Sequence, residues 1–382
     1  AGILEKLGFL GLARAGNADR IFVKVPSWRP DVEGKADLVE EIVRIAGVDN
    51  VAATPMLREE PAVTKPILTL PQKRKALARR ALAASGLVEA VTWSFISKDQ
   101  ATLFGGGSAA LALANPIAAD LSDMRPSLLP GLIAAAQRNG DRGLRDAALF
   151  EVGQIFLGSG EADQRTSAAM IRRGTATRGG AGRHWSQPVR PVDVFDAKAD
   201  ALSLLATLGV PARNLQFAAK GPAWAHPGRS GAFQFGPKKI VGYFGEVHPK
   251  VLEALGAEGP LVAAEIILDE IPAPKAKPTK AKERLELSEF MAVERDFAFL
   301  VDRAIAAADI VRAAESAERG LVADVAVFDV YEGAGIPEGQ KSVAIAVTLQ
   351  PRQHTLTDAD IDAAADKIIG EVARKTGAKL RG

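Results

Sequence analysis

Apolar positions along this 382-residue chain follow two periods, and the changes between them mark out its elements. In DLVEEIVRIAG, Leu38, Ile42 and Ile45 fall at helical spacing, with Asp37 as an N-cap and Gly47 as a stop. IFVKVPSW (21–28) is β-rich, and Pro26 and Pro30 punctuate its end. With AGILEKLGFLGL as an opening helix, residues 1–54 read as helix, strand, helix. A chain that begins inside a helix reads as a fragment of a longer one. TPMLREEPAVTK (55–66) is weakly periodic and contains proline, as a connector does.

A larger mixed domain is expected over 67–272. PQKRKALARRALAASGL forms a basic amphipathic helix that stops at Gly86. Strand patterns follow at EAVTWSFIS (89–97), AALFEVGQIFL (147–157), SGAFQFG (230–236) and KIVGYFGEVH (239–248). Helices are expected in RPSLLPGLIAAAQRN (125–139) and VFDAKADALSLLATLG (194–209). Hairpin-length gaps between strand runs favour an antiparallel sheet. APKAKPTKAKER is dense in Lys and Pro and poor in apolar residues, so 273–287 is assigned to a linker. Residues 288–382 then run strand, helix, strand, strand, helix, strand. That is the βαββαβ order of a ferredoxin-like sandwich, and the whole chain is α+β.

Hydrophobic content of 47% and 25% charged residues describe an ordinary soluble protein. No apolar run approaches the ~18 residues of a membrane helix. Zero cysteines exclude disulfides, zinc–thiolate sites and cysteine nucleophiles, and fit a reducing compartment. Net charge is only +2, but its distribution is uneven. Residues 125–190 hold ten Arg and Lys against five Asp and Glu, whereas 285–382 hold eleven against seventeen. A polyanion is therefore drawn first to the middle of the chain.

The segment VPSWRPDVEGKADLVEE (25–41) crowds Asp31, Asp37, Glu40 and Glu41 around a helix start. Asp37-x-x-Glu40 fits a capping box, and acidic residues there suit the helix dipole. A capping box uses two carboxylates, however, and four are present. Mg²⁺ wants hard oxygen ligands, so the cluster equally suits that ion or a partner's Lys or Arg. Residue chemistry leaves both readings open.

R-x-D, D-L-x-E-E and R-I-x-G-x-D (Arg29, Asp31, Asp37, Leu38, Glu40, Glu41, Arg44, Ile45, Gly47, Asp49) resemble one module of the bacterial phenylalanyl-tRNA synthetase β-subunit family, with Val48 where an aromatic is usual. The resemblance extends over nearly the whole chain. NPIAADLSDMRPSLLPGL, LFEVGQIF, HPGRSG and GEVHP are similar to that family's catalytic-like domain; RDFAFLVD, VFDVYEG, KSVAIAVTLQ and TLTD resemble its anticodon-binding domain. Met291 stands where a proline is usual, and Glu294 where a basic residue is common.

The resemblance implies a truncated winged-helix-like module, a class II synthetase-like antiparallel sheet and a C-terminal ferredoxin-like domain. It implies Mg²⁺ on Asp31, Asp37, Glu40 and Glu41, and a cytoplasmic assembly of two α and two β chains. Together they join L-phenylalanine to tRNA(Phe) with ATP, the α chain holding ATP and phenylalanine. Editing domains lie upstream in the family, so no editing is expected of this segment.

Class II chemistry needs arginines on the sheet for the α-phosphate of ATP. AALFEVGQIFL carries Glu151 but no Arg, and no Gly-rich segment ending in Arg follows GEVHP. This domain is therefore expected to be a scaffold without catalytic residues. His226 and His248 each precede a proline and read as turn-bonded rather than zinc-binding. Ser127 lacks a G-x-S-x-G elbow, and the glycines at 105–107 lack a Gly-Lys-Ser/Thr ending. The run Arg172, Arg173, Arg178, Arg183 fits tRNA phosphate or a solvated loop equally.

In the last domain, Phe328 and Tyr331 at odd spacing should point to opposite faces, one into the core and Tyr331 toward a base-stacking platform. Lys341, Arg352, Lys379 and Arg381 are the expected companions in tRNA contact. Two other classes compete: a stand-alone RNA-binding scaffold, and a Mg²⁺-dependent phosphotransferase built on the Asp31–Glu41 cluster.

Overall fold

A computed structural model describes residues 2–14, 21–56, 67–178, 189–274 and 287–381. It divides into two compact units, Ala1–Pro274 and Lys275–Gly382. The fold is mixed α and β. Most of the connector at 55–66 and of the linker at 273–287 lies outside the described residues, as do Arg183 and His184.

The first unit opens with α1 (Gly2–Lys6), an antiparallel pair β1 (Leu10–Arg14) and β2 (Ile21–Lys24), and α2 (Lys35–Ala46). GFLGL therefore enters a strand rather than extending the first helix. Leu4, Phe9 and Val32 are buried beneath Leu38 and Ile42 of α2, two of the three positions that periodicity marks; the third, Ile45, is exposed. Helix α2 begins earlier than expected. Its N-cap is Gly34, and Asp37 occupies the third helical position. Asp37 Oδ2 accepts from the Gly34 N–H at 2.7 Å and the Glu33 N–H at 2.9 Å. The expected Asp37–Glu40 box is thus corrected by three residues, because glycine takes the extended cap conformation and frees Asp37 to reach back.

After α3 (Leu70–Ala84) the central sheet and its helices form in the order β3 (Val88–Glu89), β4 (Phe95–Ile96), α4 (Lys98–Leu103), β5 (Asp123–Met124), α5 (Leu129–Asp141), β6 (Ala147–Phe156), β7 (Gln164–Arg173), α6 (Val194–Thr207), β8 (Gln216–Ala218), β9 (Ala225–Phe235), β10 (Lys239–Val247), α7 (Pro249–Ala254) and β11 (Leu261–Ile267). Seven strands run β3-β6-β7-β11-β10-β9-β8, antiparallel except for β3 beside β6. The single long strand expected at 89–97 is instead two dipeptides in different sheets.

Both faces of this sheet are covered. Ala168 and Met170 of β7, with Val262, Ala264 and Ile266 of β11, pack under α3 and α6. The alternate residues Ala169, Ile171, Leu261 and Ala263 pack under α5 and α7.

The second unit contains β12 (Val293–Asp302), α8 (Ala307–Ala317), β13 (Val322–Tyr331), β14 (Gln340–Leu349), α9 (Asp358–Thr376) and β15 (Lys379–Leu380). The sheet order is β13-β14-β12-β15, antiparallel throughout. One face carries Phe297, Phe299, Val343, Ile345 and Val347 into a core closed by α8 and α9. Among the described residues no helix of this unit packs on the other face.

Candidate functional site

The four carboxylates near the chain start do not converge. Arg29 lies between two of them: its guanidinium donates to Asp31 at 2.6 Å and to Glu41 at 2.8 Å. Arg44, one helical turn on from Glu41, reaches the other Glu41 oxygen at 2.6 Å. The Arg29 and Arg44 hydrogen bonds hold the Glu41 carboxyl down at about 2, and Arg29 does the same for Asp31. Asp37 is committed to the helix start, while Glu40 is exposed. Among the described residues no three His, Asp or Glu side chains stand close enough to hold a metal ion. As arranged, this donor set fits a guanidinium and not a magnesium ion.

In the central unit the buried cations are all engaged by the protein. Arg125 lies 2.8 Å from Glu151, both side chains at most 5% exposed. It also donates to the carbonyl of Gln154 at 3.0 Å, and Thr92 Oγ1 donates to Glu151 at 2.6 Å. Helix α5 approaches this network so closely that a Cβ on Gly131 would stand 2.2 Å from Thr92 Oγ1. Arg172 makes a two-pronged pair with Asp200, at 2.6 and 3.1 Å. Arg173 donates to the Ala136 carbonyl at 2.9 Å and meets Glu258 at 3.3 Å. Arg178 pairs with Asp200 at 2.8 Å. The expectation that Arg172 and Arg173 face phosphate or solvent is overturned: both are buried at the end of β7, neutralised by carboxylates distant in sequence.

Ser127 is a structural donor, giving its proton to Glu265 at 2.6 Å. His226 and His248 each accept a backbone N–H two residues on, at 3.1 Å, and their rings stack 6.1 Å apart. Gly105 and Gly107 take positive φ in a turn, as expected of the triple glycine.

On the ferredoxin-type sheet, the register pairs Tyr331 with Ser342 and Val330 with Val343. Tyr331 therefore projects from the uncovered face, and its ring is 40% exposed. Phe328 does not pack in the core. A register shift between Val327 and Asp329 breaks the alternation there, and Phe328 is 58% exposed. Lys379 pairs with Leu300, on the same uncovered face, and alternation carries Arg381 there too. These two lie at the opposite edge from Tyr331, three strand spacings or about 14 Å away. Lys341 pairs with Val301 and so belongs to the helix-covered side, at the strand's end. Arg352 is exposed beyond β14. Glu294, Asp296, Asp324 and Asp329 share the uncovered face and make it acidic.

Arg29, Arg125 and Glu265 are missing from the expected site residues. Arg125 and Glu265 had a signal, a charged side chain beside or within an apolar stretch that predicts burial; Arg29, between a tryptophan and a proline, had none.

Three family models match successive parts of the chain. The family model described as phenylalanyl tRNA synthetase beta chain CLM domain matches residues 56–268. The tRNA synthetase B5 domain matches 1–48, and the ferredoxin-fold anticodon binding domain matches 288–381. The phenylalanine–tRNA ligase beta subunit of Rhodopseudomonas palustris is 61% identical over 377 residues, covering 98% of this chain and 47% of its own length. That of Nitrobacter winogradskyi is 61% identical over 381 residues, with coverage of 98% and 47%. That of Bradyrhizobium diazoefficiens is 59% identical over 379 residues, with coverage of 99% and 47%. A solved pyrrolysyl-tRNA synthetase from Desulfitobacterium hafniense shares 15% identity at a TM-score of 0.39, over 52% of this chain and 66% of that one. The chain thus spans about half the length of the curated relatives it matches. With more than half of its residues matched by the beta-chain model, the chain belongs to the phenylalanyl-tRNA synthetase beta-chain family.

Proposed function

We propose that this chain is the non-catalytic scaffold and RNA-contacting part of a phenylalanine–tRNA ligase. In a complex with two α and two β chains in the cytoplasm, it helps attach L-phenylalanine to tRNA(Phe) at the expense of ATP. The class II type of its central sheet and the winged-helix-like type of its first module belong to this reading. The observation that carries it is the state of the buried arginines. Arg125, Arg172 and Arg173 are bound to Glu151, Asp200, Glu258 and the Ala136 carbonyl, so none is left to face a nucleotide phosphate. On this reading the α chain performs the chemistry, and the second unit meets the anticodon through Tyr331, Lys379 and Arg381. Lys341, on the helix-covered side, and Arg352, past the other end of β14, serve only as outlying contacts.

The test is reconstitution. The chain alone should show no phenylalanine-dependent ATP–pyrophosphate exchange, should co-purify with the cognate α chain, and should support aminoacylation in that complex. Exchange by the chain alone would refute the scaffold reading. A chain that ignores α yet binds RNA unaided would favour the stand-alone scaffold.

Magnesium on Asp31, Asp37, Glu40 and Glu41 enters this reading on one condition. Arg29 must leave Asp31 and Glu41 before a divalent ion takes its place. Mn²⁺ paramagnetic broadening should then be weak in the native chain and stronger in Arg29→Ala. Weak broadening in both would remove the metal from the reading, and strong broadening in both would remove the condition on Arg29.

A further inference from the structure

A cavity of about 210 Å³ opens on the α5 face of the central sheet. Phe104 and Trp224, their rings 6.3 Å apart, form one wall; Ile155 and Tyr243 line another, and Ser127 and Glu265 supply the polar end. Its size is informative, because an engineered apolar cavity of about 150 Å³ holds one benzene molecule. This one has room for a single ring and a two-carbon tail. The polar end is the unusual part. Glu265 is only 9% exposed and takes hydrogen bonds from Ser127 at 2.6 Å, Ser167 at 3.0 Å and the Leu128 N–H at 2.9 Å. All three donors are neutral. Among the described residues none forms an ion pair with it; Arg125, itself bound to Glu151, acts on it only through its field and as the smallest of the opposing influences. Burial pushes the Glu265 carboxyl up. A buried carboxylate without a counter-ion is costly, and an arriving ammonium removes that cost.

We propose that this cavity is a binding site for a small primary amine carrying one ring, the ring held against Phe104 and Trp224 and the ammonium on Glu265. The cavity has no basic side chain among its lining residues. An α-amino acid would therefore bring a carboxylate with no partner, so the site selects the amine over the amino acid. This site is independent of the ligase reading, because it involves neither the α chain nor tRNA.

The test titrates 2-phenylethylamine into the whole chain, with ligand-detected NMR as the readout. The neutral isostere 2-phenylethanol and the amino acid with the same ring serve as comparators. Saturable binding of the amine is expected, about tenfold tighter than either comparator. Glu265→Gln should bring the amine down to the level of the alcohol while leaving the alcohol unchanged. Ile155→Phe, which fills the cavity, should abolish both. No saturable binding of the amine to the native chain would overturn the proposal, and so would equal or tighter binding of the alcohol or the amino acid. Those native-chain arms stand even if a variant fails to fold.

Discussion

At the scale of residues, the central unit depends on charges that have no water to fall back on. Arg125 and Glu151 are the sharpest case, because each is buried and each also anchors Thr92 or a backbone carbonyl. Removing one partner strands the other, which costs about 3–5 kcal/mol, whereas replacing both by apolar groups costs far less. Arg125→Met should therefore lower urea stability by that amount, and Arg125→Met combined with Glu151→Leu should regain most of it. A double variant as weak as the single one would show that the pair contributes more than mutual neutralisation. Glu41 supplies a pH-dependent counterpart. Its folded carboxyl sits near 2 against an ordinary 4.5, because Arg29 and Arg44 bond to the charged form. A depressed value means that its contribution is complete above the ordinary value and is lost as pH falls from about 4.5 toward 2. Carboxyl-carbon NMR should place the Glu41 midpoint near 2, and Arg29→Ala should move it upward. An unmoved midpoint would assign the shift elsewhere. The acidic cluster was legible in sequence, but its cation was not. Arg29 reads as one more surface charge until the turn at 26–29 folds it back onto α2.

At the scale of elements, legibility followed how many faces an element buries. The last domain was readable strand by strand because each strand has one covered face and therefore alternates. Strands β7 and β11 carry no clear strand signal. Both are covered on both sides, so SAAMI and LVAAEII show small and apolar residues without alternation. They also lack the aromatics that mark the equally covered β6 and β10. The arginines that end β7 then resembled a solvated run, since Asp200 lies 28 residues away in α6. The bulge at Phe328 was equally invisible, because strand parity assumes an unbroken ladder. What the uncovered sheet of the second unit can bind follows from its charges. Under the proposed reading, a face with Tyr331 on one edge strand, Lys379 and Arg381 at the other edge, and four carboxylates across its strands should hold unpaired bases by stacking more than by phosphate neutralisation. Tyr331→Ala should cost about 1–3 kcal/mol of RNA affinity. Lys379→Ala and Arg381→Ala should each reduce the slope of log K against log salt by at most about 0.7, the value for one single-strand phosphate contact. Filter binding from low to moderate salt reads both quantities. A steep slope that survives both charge variants would move the RNA to another surface.

At the scale of the whole molecule, the chain holds separate cores in its two units. The Phe150 and Leu132 clusters belong to the first, and the Phe299 cluster to the second. Each unit is long enough to bury a core of its own, so each should unfold cooperatively by itself. Phe299 is fully buried, and its truncation removes ring contacts that the surrounding β-sheet and helices cannot close over. Phe299→Ala should therefore weaken the second unit by about 3–5 kcal/mol. Hydrogen exchange read by mass spectrometry should show faster exchange in peptides from 288–381 and no change in those from α5, β7 and β11. Leu132→Ala should do the reverse. The same partition carries over to function under the scaffold reading: Phe299→Ala should weaken tRNA binding while leaving capture of the α chain intact, since those two contacts belong to different cores. If Phe299→Ala also quickened exchange across the central sheet, or released the α chain, the units would be one cooperative body. The division of labour between them would then fail with it.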